Sequence, residues 1–151
     1  MAMRLQNLNL VWLAKAVAVT NAGTVTSDSF DSLGFREVAI IIQSTTADAA
    51  TNKPSVCKVQ HSDTTDSTNF GDITALVGGG TGGFTIPNMP TSTTTAPYAL
   101  LSVNMKGKKR YLRVLVSPLT SQTFNIVAIG DRPEQSPITT TTQNVAVFAA
   151  G

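Results

Sequence analysis

The sequence predicts an all-β protein built as an antiparallel β-sandwich, and three observations carry that expectation. Thr and Ser number 22 and 12 among 151 residues, and β-branched Thr suits half-exposed strands. Charged residues make up only 13% of the chain, roughly half the share of an average globular domain. Apolar residues come in short runs or at every second position, closed by Gly, Pro, Asn and Asp, which is the pattern of strands and turns. The apolar runs are too plentiful for a disordered chain, and 151 residues suffice for one domain with a buried core.

Residues 1–15 alternate loosely, with Leu8, Leu10 and Trp12 set against Asn7, Asn9 and Val11. They read as an extended N-terminal arm or a first strand. Trp12 either packs under the domain or anchors the arm on a neighbour, because Trp is enriched at interface hot spots. Residues 16–20 form a short strand closed by Asn21-Ala22-Gly23, residues 24–30 another, and Asp31-Ser32-Leu33-Gly34 a turn. Residues 35–44 are the best strand of the first half, and their apolar run 38–42 fits a sandwich interior. A loop over 45–54 leads to a strand over 55–62, with Val56, Lys58 and Gln60 on one side and Cys57, Val59 and His61 on the other. A polar turn over 63–69 precedes a short strand at 70–73.

Residues 76–83 are glycine-rich and read as a flexible loop. Residues 84–86 pair briefly, and 87–97 are irregular, with three Pro and four Thr. Long segments of this kind are usually functional or disordered, so 76–97 reads as a contact loop presenting Phe84, Ile86 and Met89. Strands at 98–104, 109–117 and 123–130, separated by turn residues, read as an antiparallel meander. From Asp131 a C-terminal tail follows, interrupted by Pro133 and Pro137. Within it Val145-Ala146-Val147-Phe148 is suited to add one strand, in the same chain or on a neighbour. The expected organisation is an arm (1–15), a sandwich domain (16–130) and a tail (131–151).

Several function classes are disfavoured. A net charge of +2 is too small to hold a polyanion through many phosphate contacts, so no nucleic-acid partner is expected. No apolar run approaches the length of a membrane span, and the N-terminal residues lack the features of a signal peptide. The chain is expected to be made in a reducing cytoplasm. Its single Cys, Cys57, cannot form an internal disulfide and reads as an inert, buried thiol. The single His, His61, has no Cys near it to complete a zinc set. Asp63, Asp66 and Asp72 flank a turn but lack the bidentate Glu of a calcium loop. The glycines at 78–80 and 82–83 are not followed by the Lys-Ser/Thr of a phosphate loop. No acid–base set is apparent, so the expectation is a non-enzyme without cofactor or metal. The basic cluster Lys106, Lys108, Lys109, Arg110 and Arg113 reads either as a charged hairpin edge or as a contact to an acidic protein surface.

Three stretches carry a resemblance. Gln60-His61-Ser62-Asp63 ends a strand, and Phe70-Gly71-Asp72-Ile73 follows the turn. Gly107-Lys108-Lys109-Arg110-Tyr111-Leu112-Arg113-Val114 comes later, before a small apolar strand at 126–130. This order, over residues 35–130, resembles a group of small virion structural proteins of tailed bacteriophages. The resemblance implies a jelly-roll-like sandwich that decorates and cements the outer surface of a capsid by binding the major capsid protein, with self-association as a homodimer or homotrimer. It implies location in the virion after synthesis in the bacterial host cytoplasm. The insert at 76–97 and the tail depart from the pattern.

The contact residues expected on this reading are Leu8, Leu10 and Trp12 in the arm, Phe84, Ile86 and Met89 in the loop, Lys108, Lys109 and Arg110 in the basic cluster, and Val145, Val147 and Phe148 in the tail. A head-fibre or tail component of the virion is the first alternative. A carbohydrate-binding sandwich ranks below it, because aromatic residues are only 6% of the chain and mostly fall inside strands.

Overall fold

The computed structural model describes residues 8–46, 48–49, 51–89 and 98–131. Nine strands run in chain order: β1 Leu8–Val19, β2 Val25–Thr26, β3 Phe30–Asp31, β4 Glu37–Ser44, β5 Val56–Ser62, β6 Gly71–Val77, β7 Ala99–Asn104, β8 Tyr111–Ser117 and β9 Gln122–Asp131. A single 3-10 turn, Ser67–Asn69, sits between β5 and β6.

The strands form two antiparallel sheets. One has the order β1-β9-β4-β7; in the other β8 stands between β2 and β5, β6 follows β5, and β3 also pairs with β8. β2 and β3 are two pieces of one interrupted strand along β8, with Val25 opposite Val116 and Phe30 opposite Leu112. Ser27 bridges the break: its amide donates to the Val114 carbonyl, and its hydroxyl accepts from the Val114 amide at 2.9 Å. With that strand counted once, eight strands fill two sheets of four, and the first lies beside the last. This is the jelly-roll arrangement. Among the described elements only β5 and β6 are joined as a hairpin within one sheet.

Strict alternation builds the core. In β4, Val38, Ile40, Ile42 and Ser44 are buried while their neighbours are not. In β8, Leu112, Val114 and Val116 play the same part, and in β9 Phe124, Ile126 and Ala128 do. These side chains, with Phe30, Leu13, Val59 and Val103, form one apolar cluster between the sheets. Hydroxyls and amides close its ends. Ser44 Oγ donates to Gln122 Oε1 at 2.8 Å, Thr46 bonds the same oxygen, and Gln122 Nε2 donates to Thr120 Oγ1 at 3.1 Å. Among the described residues no buried side-chain nitrogen or oxygen lacks a hydrogen bond, as burial of polar atoms requires.

Three sequence expectations are corrected. Of the two readings of residues 1–15, the arm gives way to the first strand over residues 8–15: they are the first part of β1, which pairs with β9 from Leu8 opposite Asp131 to Val19 opposite Gln122. The ladder shifts register between Trp12 and Ala14 and again between Ala14 and Val17. Ala16 there has φ 47°, so the period-two pattern breaks inside one continuous strand. Next, β7, β8 and β9 are not a meander: β7 pairs with β4, β8 with β5, and β9 with β1 and β4. The turns between them carry the chain from one sheet to the other. Finally, the glycine loop is tied down. The Gly78 amide donates to the Cys57 carbonyl at 2.9 Å, Gly79 to Phe84 at 2.8 Å and Gly83 to Gly80 at 3.0 Å. Its residues 76 and 77 belong to β6, and residues 84–86 form no strand.

Candidate functional site

The two outer faces of the sandwich differ in chemistry. On the sheet containing β8, the outward side chains form a polar cluster around Arg113. β5 and β8 pair so that Gln60 stands opposite Arg113, and β5 and β6 pair so that Gln60 stands opposite Asp72. Arg113 Nε donates to Gln60 Oε1 at 2.8 Å, and one terminal nitrogen donates to the Ser67 carbonyl at 3.1 Å. Its guanidinium lies 4.1 Å from the centroid of the Phe70 ring, a cation–π stack. Gln60 Nε2 donates to Asp72 Oδ1 at 2.6 Å, and Lys58 Nζ donates to Asp72 Oδ2 at 3.0 Å. These bonds, that from Gln60 first, hold the Asp72 carboxyl below its ordinary pKa.

Lys106, Lys108, Lys109 and Arg110 of the basic cluster occupy the connection from β7 to β8. Gly107 adopts φ 71°, with open space where a Cβ would sit, and the Lys108 amide closes the turn on the Met105 carbonyl at 3.0 Å. Arg110 grips Asp31 with two parallel bonds, Nε to Oδ1 at 2.9 Å and a terminal nitrogen to Oδ2 at 2.7 Å. Lys109 Nζ lies 3.1 Å from Asp63, and its amide donates to His61 Nδ1 at 3.1 Å. That bond needs Nδ1 unprotonated. Burial, with Lys108 and Lys109 nearby, pushes the His61 pKa down, which keeps the acceptor available. Lys108, Lys109 and Arg110 are all exposed. They sit on an inter-sheet connection rather than a hairpin edge.

Beside this connection, an open cleft of about 690 Å³ lies between the edges of the two sheets. His61, Asp72, Ser102, Asn104, Lys106 and Lys108 contribute polar groups to its wall. It offers hydrogen bonds and two ammonium groups to a polar partner. Among the described residues no three His, Cys, Asp or Glu side chains gather to hold a metal ion. Cys57 is buried, and burial pushes its thiol pKa up to about 12, far from the range of a reactive thiolate.

The outer face of the other sheet is apolar. Two cross-strand rows run over it: Leu10, Ile129, Ala39 and Ser102, then Trp12, Val127, Ile41 and Leu100. Leu10 is 37% and Leu100 64% exposed, while Trp12, Ala39, Ile41, Val127 and Ile129 are half-buried. Gln43 and Asn125 bound the patch at one end, Glu37 and Asn104 at the other. Alternation along single strands hid it, because a run such as 38–42 looks equally apolar on both faces and only the register aligns the outward half.

The expected contact residues therefore separate. Leu10 and Trp12 lie on this apolar face, and Leu8 is the first residue of β1, paired with Asp131. Phe84 is half-buried against the core. Ile86 and Met89 are corrected: at 8% and 3% exposure they are core residues. Ile86 packs over Gly78, where a Cβ would come within 2.4 Å of it, and the Met89 amide donates to the Asn52 carbonyl at 2.6 Å. The sequence gives no periodic signal for them, because they dip into the core from irregular chain. Val145, Val147 and Phe148 lie outside the described residues.

No family model matches the chain, and no curated protein matches it. Among solved structures, the chain is similar to that of the SPBc2 prophage-derived protein YomS. The TM-score is 0.46 and the identity 12%, over 85% of this chain and 98% of that one.

Proposed function

We propose that this chain is a structural virion protein that decorates and cements a tailed-phage capsid by binding major capsid subunits. One observation carries the reading. The stretches that resemble such proteins are far apart in sequence, yet their residues meet in one cluster. Gln60 of the first, Phe70 and Asp72 of the second and Arg113 of the third bond or stack with one another. Lys109 of the third pairs with Asp63 of the first. A pattern whose separated parts close on each other describes a folded unit rather than a chance string of residues. The resemblance is therefore to a scaffold, in which Gly107 shapes the connection and Arg113 pins the turn before β6.

The chemistry is compatible with a binding role. The exposed Lys108, Lys109 and Arg110 and the adjoining cleft suit an acidic, hydrogen-bonding protein surface. Many identical copies on a shell make the summed hold strong even where each contact is modest. The direct test adds purified chain to capsid shells that lack it and measures bound copies by co-sedimentation. Saturation at a simple fraction of the major capsid subunits is the expected result. No binding to either immature or expanded shells would reject the proposal.

A further inference from the structure

On one side of the sandwich the outer strands of the two sheets, β6 and β7, stand next to each other. One end of the gap between them is filled by the chain itself. The Phe84 carbonyl accepts from the Gly79 amide after β6, Ile86 packs over Gly78, and the Pro87 carbonyl accepts from the Tyr98 hydroxyl before β7 at 2.7 Å. The other end is the open cleft of about 690 Å³, with the buried Ile73 and Val103 at its floor and Thr74 and Ser102 on its two walls.

β7 is an unprotected edge. Outer strands usually carry Lys, Pro or a bulge that discourages further pairing. β7 reads Ala-Leu-Leu-Ser-Val-Asn, without charge or proline, and pairs with β4 in one unbroken register from Ala99 opposite Ile42 to Asn104 opposite Glu37. The Met105 amide donates to the Arg36 carbonyl, and an antiparallel ladder alternates, so the amides and carbonyls of Leu100, Ser102 and Asn104 point away from β4. No described strand pairs with them. β6 is the poorer template, because its ladder with β5 shifts register.

Charge selects the occupant. Lys106 and Lys108 are exposed at the cleft, and the described ion pairs use Lys58, Lys109 and Arg110 instead. Asp72, the carboxylate on the wall, is already held by Gln60 and Lys58. His61 accepts from the Lys109 amide at Nδ1, so its ring proton stands on Nε2 as a further donor. We propose that the cleft takes an extended, carboxylate-bearing segment of the capsid subunit, added as a strand along the free edge of β7 with its acidic side chains at Lys106 and Lys108. The proposal rests on the capsid reading above and names what the subunit supplies. Main-chain bonds to β7 give the hold, and the apolar floor receives alternate side chains, as the core receives Ile86 at the other end of the gap.

The test measures binding of the full chain and its variants to shells that lack it. Lys106→Glu combined with Lys108→Glu, and Ser102→Glu alone, change only exposed residues and should each weaken binding about tenfold or more. Lys53→Glu, at an exposed position outside the cleft, should bind as the unaltered chain does. Hydrogen exchange on decorated shells gives a readout that charge alone would not move: the amides of Leu100, Ser102 and Asn104 should exchange about tenfold or more slowly than in the free chain. Binding that the cleft variants do not weaken, or that leaves exchange in β7 unchanged, overturns this inference and leaves the capsid reading standing. Failure of the unaltered chain to bind rejects that reading, and this inference with it.

Discussion

Arg113 shows how one side chain fixes a loop. Its guanidinium stacks on Phe70, bonds Gln60 and reaches the Ser67 carbonyl, so the turn before β6 is attached to β8 through a single residue. Arg113→Ala removes a stacked cation and two charge-assisted bonds. It should lower the unfolding free energy by about 2 kcal/mol in urea titrations. Lys109→Ala breaks only an exposed ion pair with Asp63 and should cost less than about 1 kcal/mol.

His61 titrates differently. Its folded-state pKa lies below the ordinary imidazole value, through burial and then Lys108 and Lys109. The unfolded chain therefore takes up the proton first, and stability should fall as pH drops below about 6.5. His61→Asn keeps an acceptor for the Lys109 amide and should flatten that slope between pH 7 and pH 5 in thermal melts; an unchanged slope would contradict this role for His61. The carboxyls of Asp31 and Asp72 are held low by bonds from Arg110 and Gln60 respectively. Their contribution is present at neutral pH and is lost only below about pH 4.

Among the elements, the glycine loop after β6 is shaped by close backbone approach. A Cβ at Gly83 would fall 1.8 Å from the Val77 carbonyl oxygen, whereas Gly71, in β6, has nothing within 4 Å of that position. Gly83→Ala should therefore destabilise the fold by about 2 kcal/mol or more, and Gly71→Ala should be neutral or slightly stabilising. Chemical denaturation of the pair checks this directly. Strands β4, β5, β8 and β9 were legible in the sequence within a residue or two at their ends. β1 was not, because two register shifts between Trp12 and Val17 change which face the next residue takes. Pairing was not legible either. The short connections after β7 and β8 resemble hairpin turns in length and composition, but they lead between sheets, and only tertiary packing decides that. Ile86 and Met89 read as loop contacts rather than core for a related reason: burial from an irregular segment leaves no period to read.

At the scale of the whole molecule, the jelly roll presents a polar face organised by Arg113 and an apolar face organised by Trp12. The exposed basic connection and its cleft stand at the sheet edges. The hydroxyl-rich composition acquires a structural meaning: Ser44, Thr46, Thr120 and Gln122 form a chain of bonds, and Ser27 bridges the break between β2 and β3. Of the candidate site, the basic residues were legible as a cluster in sequence. The apolar face was not, because it exists only once four strands are in register.

The proposed role makes a quantitative demand on the particle. A shell cement is present in fixed proportion to the shell, whereas a fibre or tail component is present in few copies. The deciding measurement is gel densitometry of virus particles purified from the source of this chain, calibrated against the major capsid band. The account predicts one copy per capsid subunit or a simple fraction such as one half or one third. A ratio of a few per cent, or absence from the particle, would contradict it.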